Sequence, residues 1–150
     1  MTEVSSEDIV IKIGSIKEAS FVNSQIPEFD EPYVLKDFIT RLEGKNHLIL
    51  IAYVGDNLVG FKIGYEVNKK TFYTWMGGVI PKYRRKGIAK LLSKKQEEFV
   101  RKKGYETITL KTRNKHKNMI CFAILSGFYL VGVEKNNAWE ESRIFLEKKL

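Results

Sequence analysis

The sequence has very few residues that build metal centres or cross-links. Cys121 is the single cysteine, which excludes an internal disulfide and any multi-cysteine metal site. The two histidines, His47 and His116, are too few and too scattered for a zinc centre. We therefore expect no metal, and we expect Cys121 to be a buried packing residue, not a nucleophile.

Long apolar runs, repeats, low-complexity tracts and linkers are also absent. No run approaches the roughly 20 residues that span a membrane. The first residues include Glu3, Glu7 and Asp8, where a signal peptide would be basic. With 150 residues, 43% of them hydrophobic, the chain is predicted to form a single domain over residues 1–150. We expect a cytoplasmic protein with no membrane partner.

Charge is plentiful but unevenly placed. The formal net charge is +8, and residues 82–118 contain 14 Lys and Arg against three Glu. Residues 1–44, by contrast, contain more acidic than basic residues. One half should therefore attract polyanions, which could be nucleic acid or a coenzyme with several phosphates.

The apolar periodicity predicts strands and helices in the order β-α-α-β-β-β-α-β-α-β-β. Ser15 and Glu18 have the spacing of a capping box at the first helix. Residues 55–57, Gly-Asp-Asn, indicate a hairpin turn. The predicted strands cover residues 9–14, 47–54, 58–67, 71–80, 107–112, 129–134 and 142–148, and the predicted helices cover residues 15–25, 33–43, 88–103 and 117–126.

The stretch over residues 79–92 combines a strand end, a short basic loop and a helix start. Such a junction leaves backbone N–H groups free at the positive end of a helix, which suits a phosphate or pyrophosphate. The loop is too short for a Walker P-loop and lacks the later glycines of a dinucleotide fingerprint. It fits the order Arg/Gln-x-x-Gly-x-Gly/Ala as Arg84-x-x-Gly87-x-Ala89, after Pro81.

This motif and the element order resemble the GCN5-related N-acetyltransferase (GNAT) family over nearly the whole chain. The pair Gly127-Phe128 after the short helix is a further feature of that family. The resemblance implies an α+β GNAT fold, with a mixed, mostly antiparallel sheet of about seven strands flanked by about four helices. It also implies transfer of an acetyl group from acetyl-CoA to an amine of a small molecule or a peptide or protein. A homodimer is an allowed assembly.

The resemblance further implies how the coenzyme is held. Backbone N–H groups of residues 85–90 would hold the pyrophosphate, and Arg84 with the neighbouring cations Arg85 and Lys86 would lie near its phosphates. The pantetheine arm would pair with Val79 and Ile80 where the fourth and fifth strands splay apart. Gly77-Gly78 would suit that departure from regular pairing, or would mark only a bulge. An N–H near Val79 would face the thioester oxygen. The coenzyme-binding residues so implied are Val79, Ile80, Arg84, Arg85, Lys86, Gly87, Ile88, Ala89, Lys90 and Asn114.

The catalytic groups depart from the family pattern. Ala123 stands where many members have the tyrosine that protonates the leaving thiolate, and His116 stands where many have an asparagine. Tyr129 is the candidate acid and Glu66 the candidate base, while a core tyrosine and a solvated glutamate remain open as alternatives. Asn114 is chosen for the coenzyme contact, with helix capping as its alternative.

The acceptor site has no motif of its own. Tyr65, Tyr73 and Trp75 could wall an acceptor pocket or simply belong to the core. The acidic residues Glu28, Asp30 and Glu31 could hold a cationic acceptor or be solvated. Two other functions stay open: a non-catalytic acyl-CoA sensor, which Ala123 favours, and a nucleic-acid-binding module, which the lack of a clear recognition helix disfavours.

Overall fold

The computed structural model describes residues 8–28 and 33–150. Within those ranges the chain forms seven strands and four α-helices in the predicted order, and the strand and helix bounds lie within two residues of the predicted ones. The elements are β1 Ile9–Ile13, α1 Ile16–Ser24, α2 Leu35–Leu42, β2 His47–Val54, β3 Asn57–Asn68, β4 Thr71–Val79, α3 Ile88–Lys102, β5 Thr107–Arg113, α4 Lys117–Leu125, β6 Tyr129–Glu134 and β7 Arg143–Lys149.

The seven strands form one mixed sheet in the order β1-β2-β3-β4-β5-β7-β6. The pairings are antiparallel except that of β4 with β5, which is parallel. A parallel pair requires a crossover, and α3 supplies it. The α+β fold predicted from the sequence is thereby confirmed.

Two layers of helices cover the sheet. The core between the sheet and α3 contains Val59, Phe72, Leu92 and Val100, all buried. The core on the opposite face lies under α1 and α2 and contains Val22, Phe38, Ile51, Phe61 and Ile63. Because successive strand residues face opposite sides, β3 contributes its odd-numbered residues 61–65 to the second core.

Local sequence explains where the helices begin. Ser15 caps α1 through the predicted capping box, in which its hydroxyl accepts from the Glu18 N–H and the Glu18 carboxylate accepts from the Ser15 N–H. Gly87 is the N-cap of α3 and has a φ of 83°, a left-handed conformation that favours glycine. No helix among the described residues is long and apolar enough to cross a membrane.

Candidate active site

The loop between β4 and α3 presents a run of unpaired backbone amides. Pro81–Tyr83 forms a short 3-10 turn, and then Arg85 and Gly87 both adopt positive φ values, 61° and 83°. Within residues 8–28 and 33–150, none of the amides of residues 85–90 donates a hydrogen bond to the protein. Successive free amides in alternating backbone conformations form a concave anion site, and the α3 dipole adds to its positive potential.

Arg84 does not point its guanidinium freely into this loop. Its Nε donates to the Val79 carbonyl at 3.0 Å, and its two terminal nitrogens donate to the Glu28 carboxylate at 2.7 Å each. The bidentate Arg84 bond lowers the pKa of Glu28 below its usual range. The prediction that Arg84 lies near the phosphates therefore needs a correction: its side chain ties the loop to the segment after α1.

The free cations of the loop are other residues. Among the parts of the chain that the structure describes, Arg85, Lys86 and Lys90 have no ion-pair partner. All three flank the unpaired amides, because they lie at the N-terminus of α3 or just before it. The positive charge predicted for the loop is thus carried by these three side chains and not by the Arg84 guanidinium.

A crevice opens between β4 and β5 beside this loop. The two strands pair only over Thr71–Tyr73 and Thr107–Thr109, although β4 continues to Val79 and β5 to Arg113. The strands therefore diverge towards their C-terminal ends, as predicted. The Ile80 N–H donates to the Val59 carbonyl of β3 at 2.9 Å. Because backbone groups alternate in direction along a strand, the Val79 N–H points the other way, into the crevice.

The two glycines near the end of β4 are not the point of irregular pairing between β4 and β3. Gly77 and Gly78 pair in regular register with Lys62 and Phe61, and the register shift comes earlier, at Trp75. A Cβ atom at Gly78 would lie 2.5 Å from the Ile26 Cδ1 atom. Packing of Ile26 therefore favours glycine at position 78. The alternative that the glycine pair marks a bulge is wrong, whereas β4 has no β5 partner at Gly77 and Gly78, as expected where the two strands splay apart.

A small, partly open cavity of about 20 Å³ lies on the α3 side of the crevice. Lys62 of β3, Thr74 of β4, Gln96 of α3 and Ala123 of α4 all line it. Burial lowers the pKa of Lys62 to about 8. Sequence analysis missed Lys62 because a lysine in an alternating strand looks solvent-facing; the nearby Gly60 and Gly64, which share its face, were the signal that a helix packs over it.

Neither predicted catalytic residue lies at the crevice. Glu66 accepts hydrogen bonds from Tyr105 and Asn46 and pairs in register with Phe72. Phe72 is seven residues from Val79 along β4, roughly 23 Å at ~3.3 Å per residue. The Glu66 carboxylate is thus fixed at the far end of β4, so its assignment as the base is not supported.

Tyr129 is equally remote from the crevice. It begins β6, the edge strand, with its side chain 77% exposed. In register it lies across β7 and β5 from Tyr73, three strand spacings or ~14 Å away. Its assignment as the acid is therefore not supported either.

Asn114 lies directly after β5, at the same end of the sheet as Val79. Its side-chain amide donates to the Trp139 carbonyl at 3.2 Å. It is not the N-cap of α4, because that position is occupied by His116, which makes no side-chain capping bond. The capping alternative is therefore wrong, and the coenzyme contact of Asn114 stays a prediction.

An aromatic cluster covers the opposite face of β4. Tyr65 and Tyr73 are buried, and Phe38 and Trp75 pack edge-to-face beside them. The Arg41 guanidinium lies 4.8 Å from the centroid of Trp75. Burial raises the pKa of Tyr73 to about 12. These rings belong to the core under α2, with Trp75 partly buried at its side, and a contact between them and an acceptor stays a prediction.

Other predictions concern acidic residues and cysteine. Asp30 and Glu31 lie outside the described residues, and Glu28 is the partner of Arg84. Cys121 is exposed on α4, so the expectation of a buried packing residue is wrong. Among the described residues no group of three or more His, Cys, Asp or Glu side chains could hold a metal ion.

Comparison with known proteins identifies the family. The model of the acetyltransferase (GNAT) family matches residues 16–128. The chain belongs to this family. The resemblance inferred from the Arg84-x-x-Gly87-x-Ala89 motif is thus confirmed, and GNAT membership places the chain in the acyltransferase class. No curated protein sequence matches the chain well enough to count as a relative.

Solved structures similar to this GNAT chain share its fold at low sequence identity. The ribosomal-protein-S18-alanine N-acetyltransferase of Escherichia coli has 18% identity and a TM-score of 0.81, covering 94% of this chain and 93% of its own. Ard1 of Thermoplasma volcanium has 18% identity and a TM-score of 0.81, covering 95% and 98%. A GNAT acetyltransferase of Elizabethkingia anophelis, solved with acetyl-CoA bound, has 16% identity and a TM-score of 0.74, covering 97% and 100%.

Proposed function

We propose that the protein transfers the acetyl group of acetyl-CoA to an amine of a small molecule or of a peptide or protein. The observation that carries this proposal is the run of unpaired amides over residues 85–90, beside a crevice between two diverging strands. The amides and the nearby Arg85, Lys86 and Lys90 side chains offer hydrogen bonds and charge to a pyrophosphate. The coenzyme-bound GNAT structure from Elizabethkingia anophelis supports acetyl-CoA as the donor.

The crevice supplies what direct attack on a thioester needs. The pantetheine arm would enter between β4 and β5, and the Val79 N–H, which points into that gap, would donate to the thioester oxygen as negative charge develops there. The donated bond would stabilise the tetrahedral intermediate formed by the attacking amine. No covalent bond to the enzyme is needed for this reaction.

Replacement of Gly87 by valine tests the loop. No protein atom lies within 4 Å of a Cβ built at Gly87, so the added side chain meets only a ligand. We expect the Gly87→Val variant to lose at least tenfold in CoA affinity by calorimetry. Gly104→Val is the matched control, because Gly104 also has a positive φ, 91°, and open space around it. Gly104→Val should carry the same backbone strain as Gly87→Val and bind CoA as tightly as the wild type. If a folded Gly87→Val variant bound CoA as tightly as the wild type, the loop would not be part of the CoA site.

A non-catalytic acyl-CoA sensor is the second candidate function. It is favoured by Ala123 and by the positions of Glu66 and Tyr129, which leave the predicted acid and base away from the crevice. A sensor would bind acetyl-CoA and release no CoA thiol with any amine. An acetyltransferase would release thiol in step with amine acetylation.

We further propose that two copies pair through β6. This strand is the sheet edge, and its side chains Tyr129, Leu130, Val131 and Val133 are 50–77% exposed. An antiparallel self-pairing centred between Val131 and Gly132 sets Glu134 opposite Tyr129, so no like charges face each other. Such a two-fold contact would continue the sheet and close the assembly.

Edge-strand lysines test this pairing. Val131→Lys should give a monomer in sedimentation velocity, because a lysine at a sheet edge opposes further pairing. Val10→Lys, on the opposite edge strand β1, is the matched control and should leave the dimer intact. A monomeric wild-type protein across the micromolar range, or a dimeric Val131→Lys variant, would contradict the β6 interface.

A further inference from the structure

Acetyl transfer from a thioester leaves a sulfur atom that needs a proton. The amine nitrogen bonds to the carbonyl carbon, the C–S bond breaks, and its electron pair departs on sulfur as a thiolate. Tyr129 and Glu66 lie away from the crevice, and the Ala123 side chain has no proton to give. If the proposed function holds, the donor is either another side chain or water.

Lys62 reaches the crevice from the neighbouring strand. It pairs in register with Gly77 of β4, and a Cβ built at Gly77 would lie 3.5 Å from the Lys62 Cγ atom. The lysine stem therefore runs beneath Gly77, where β4 has already separated from β5. Beyond it the side chain lines the cavity that Thr74 and Ala123 also line.

The Lys62 ammonium has no partner in the parts of the chain that the structure describes: no hydrogen bond or ion pair involves its Nζ atom. The adjacent Gln96 side chain is 1% exposed, and its Nε2 atom is likewise without an acceptor. The buried Gln96 amide and the half-buried Lys62 ammonium thus border one cavity, and the one carboxylate that lines it, Glu97, forms an ion pair with Lys148. The two donors therefore point to a ligand with an acceptor or a negative charge.

The charged groups around Lys62 do not neutralise it. From α3 the nearest is Glu97, whose carboxylate lies 2.6 Å from the Lys148 Nζ atom of β7. The cavity residues contributed by β5 and α4 are uncharged: Ile108, Leu110, Met119, Phe122, Ala123 and Ser126. Glu97 lines the same cavity and its charge acts to raise the pKa of Lys62, but its carboxylate forms an ion pair with Lys148 and makes none with Lys62. The Lys62 ammonium can therefore still interact with a ligand that enters the crevice.

We propose that Lys62 is the catalytic residue that donates a proton to the departing thiolate of CoA. The Lys62 ammonium gives one proton to sulfur and becomes a neutral amine. The acceptor nitrogen loses one proton to solvent, and Lys62 regains one from solvent, so the sum is acetyl-CoA plus amine giving acetylated amine plus free CoA. This inference rests on the proposed function.

The pKa of Lys62 suits a residue that donates a proton to a thiolate. Its pKa of about 8 lies close to the reference value of about 8.5 for a thiol. Proton transfer is efficient when the pKa of the donor is near the operating pH. The small Ala123 side chain leaves room on the α4 side of the same cavity.

Titration of the bound CoA thiol tests the contact without any acceptor. An ammonium beside the sulfur stabilises the thiolate, so the pKa of CoA bound to the wild type should be at least about one unit below that of free CoA, followed by thiolate ultraviolet absorbance. Lys62→Met should abolish this shift and Lys62→Arg should retain it. Lys94→Met, on the exposed side of α3, should behave as the wild type. Equal thiol pKa values in wild type and Lys62→Met would overturn the proposal.

Turnover measurements then distinguish the electrostatic role of the Lys62 charge from its role as a proton donor. We expect both Lys62→Met and Lys62→Arg to lose at least about 100-fold in kcat while the KM for acetyl-CoA changes less than threefold, because a guanidinium does not release its proton. The wild-type kcat should fall above pH about 8, and this decrease at high pH should be absent in Lys62→Met. A Lys62→Met variant whose kcat is within twofold of the wild-type kcat, or whose kcat still falls above pH about 8, would contradict the proposal. Failure of the wild type to bind CoA by calorimetry is a separate result that would instead overturn the proposed function.

Discussion

A charged lysine inside a fold lowers stability, and Lys62 should do so here. Its pKa is about 8 in the fold against about 10.4 in an unfolded chain. Between these pH values the unfolded chain binds more protons, so the Lys62 contribution to stability rises with pH from about 8 to about 10.4. Below pH about 8 both states are protonated and the full cost remains.

Lys62→Met should remove this cost. We expect the variant to be more stable than the wild type at pH 7, by about 1–3 kcal/mol, with a difference that shrinks towards pH 10. Urea unfolding at both pH values measures it, and Lys94→Met should show no such difference. A Met variant that is less stable at pH 7 would show that the charge of Lys62 is compensated within the fold.

Single residues also show the limits of sequence reasoning. The role of Gly87 at a helix start next to basic residues could be predicted from the sequence, because the left-handed conformation of a helix cap has a local sequence signature. The contact of Arg84 with Glu28 could not be predicted, because the two residues lie 56 positions apart in the sequence. Lys62 was missed for a related reason: its burial depends on α3 and α4 closing over β3.

At the scale of elements, strands and helices were predicted well and their irregularities were not. Apolar periodicity and capping residues fix the elements locally, so α1 begins at the predicted capping box. The β4 bulge at Trp75, where β4 carries one extra residue opposite β3, was not predicted. Register depends on packing from both faces, which a single strand sequence does not contain.

The Glu28–Arg84 ion pair joins two elements and should position the coenzyme loop. Glu28→Gln weakens the tether, so we expect a two- to fivefold lower CoA affinity by calorimetry, within the ~1 kcal/mol typical of exposed pairs. Glu98→Gln, which breaks the exposed Lys95 pair on α3, is the control and should leave affinity unchanged. A higher affinity in Glu28→Gln would show instead that Glu28 competes with the coenzyme for Arg84.

At the scale of the whole molecule, basic and acidic residues are concentrated in different parts of the sequence. The basic residues of the loop and of the first turn of α3, and those from the end of β5 to the start of α4, lie at the end of the sheet where the crevice opens, whereas Arg101, Lys102 and Lys103 lie at the opposite end. The first group matches a ligand with several phosphates that lies along that end of the sheet. The order of the sheet also places β6 at an edge, which periodicity alone does not reveal.

The most direct test of the acetyltransferase proposal measures the release of free CoA from acetyl-CoA in the presence of a panel of small and peptide amines. Mass spectrometry then identifies the acetylated product. We predict at least one amine that gains one acetyl group for each CoA released, with a rate that depends on the loop of residues 85–90. Tight binding of acetyl-CoA with no acetylated amine in the panel would contradict this account and favour the sensor.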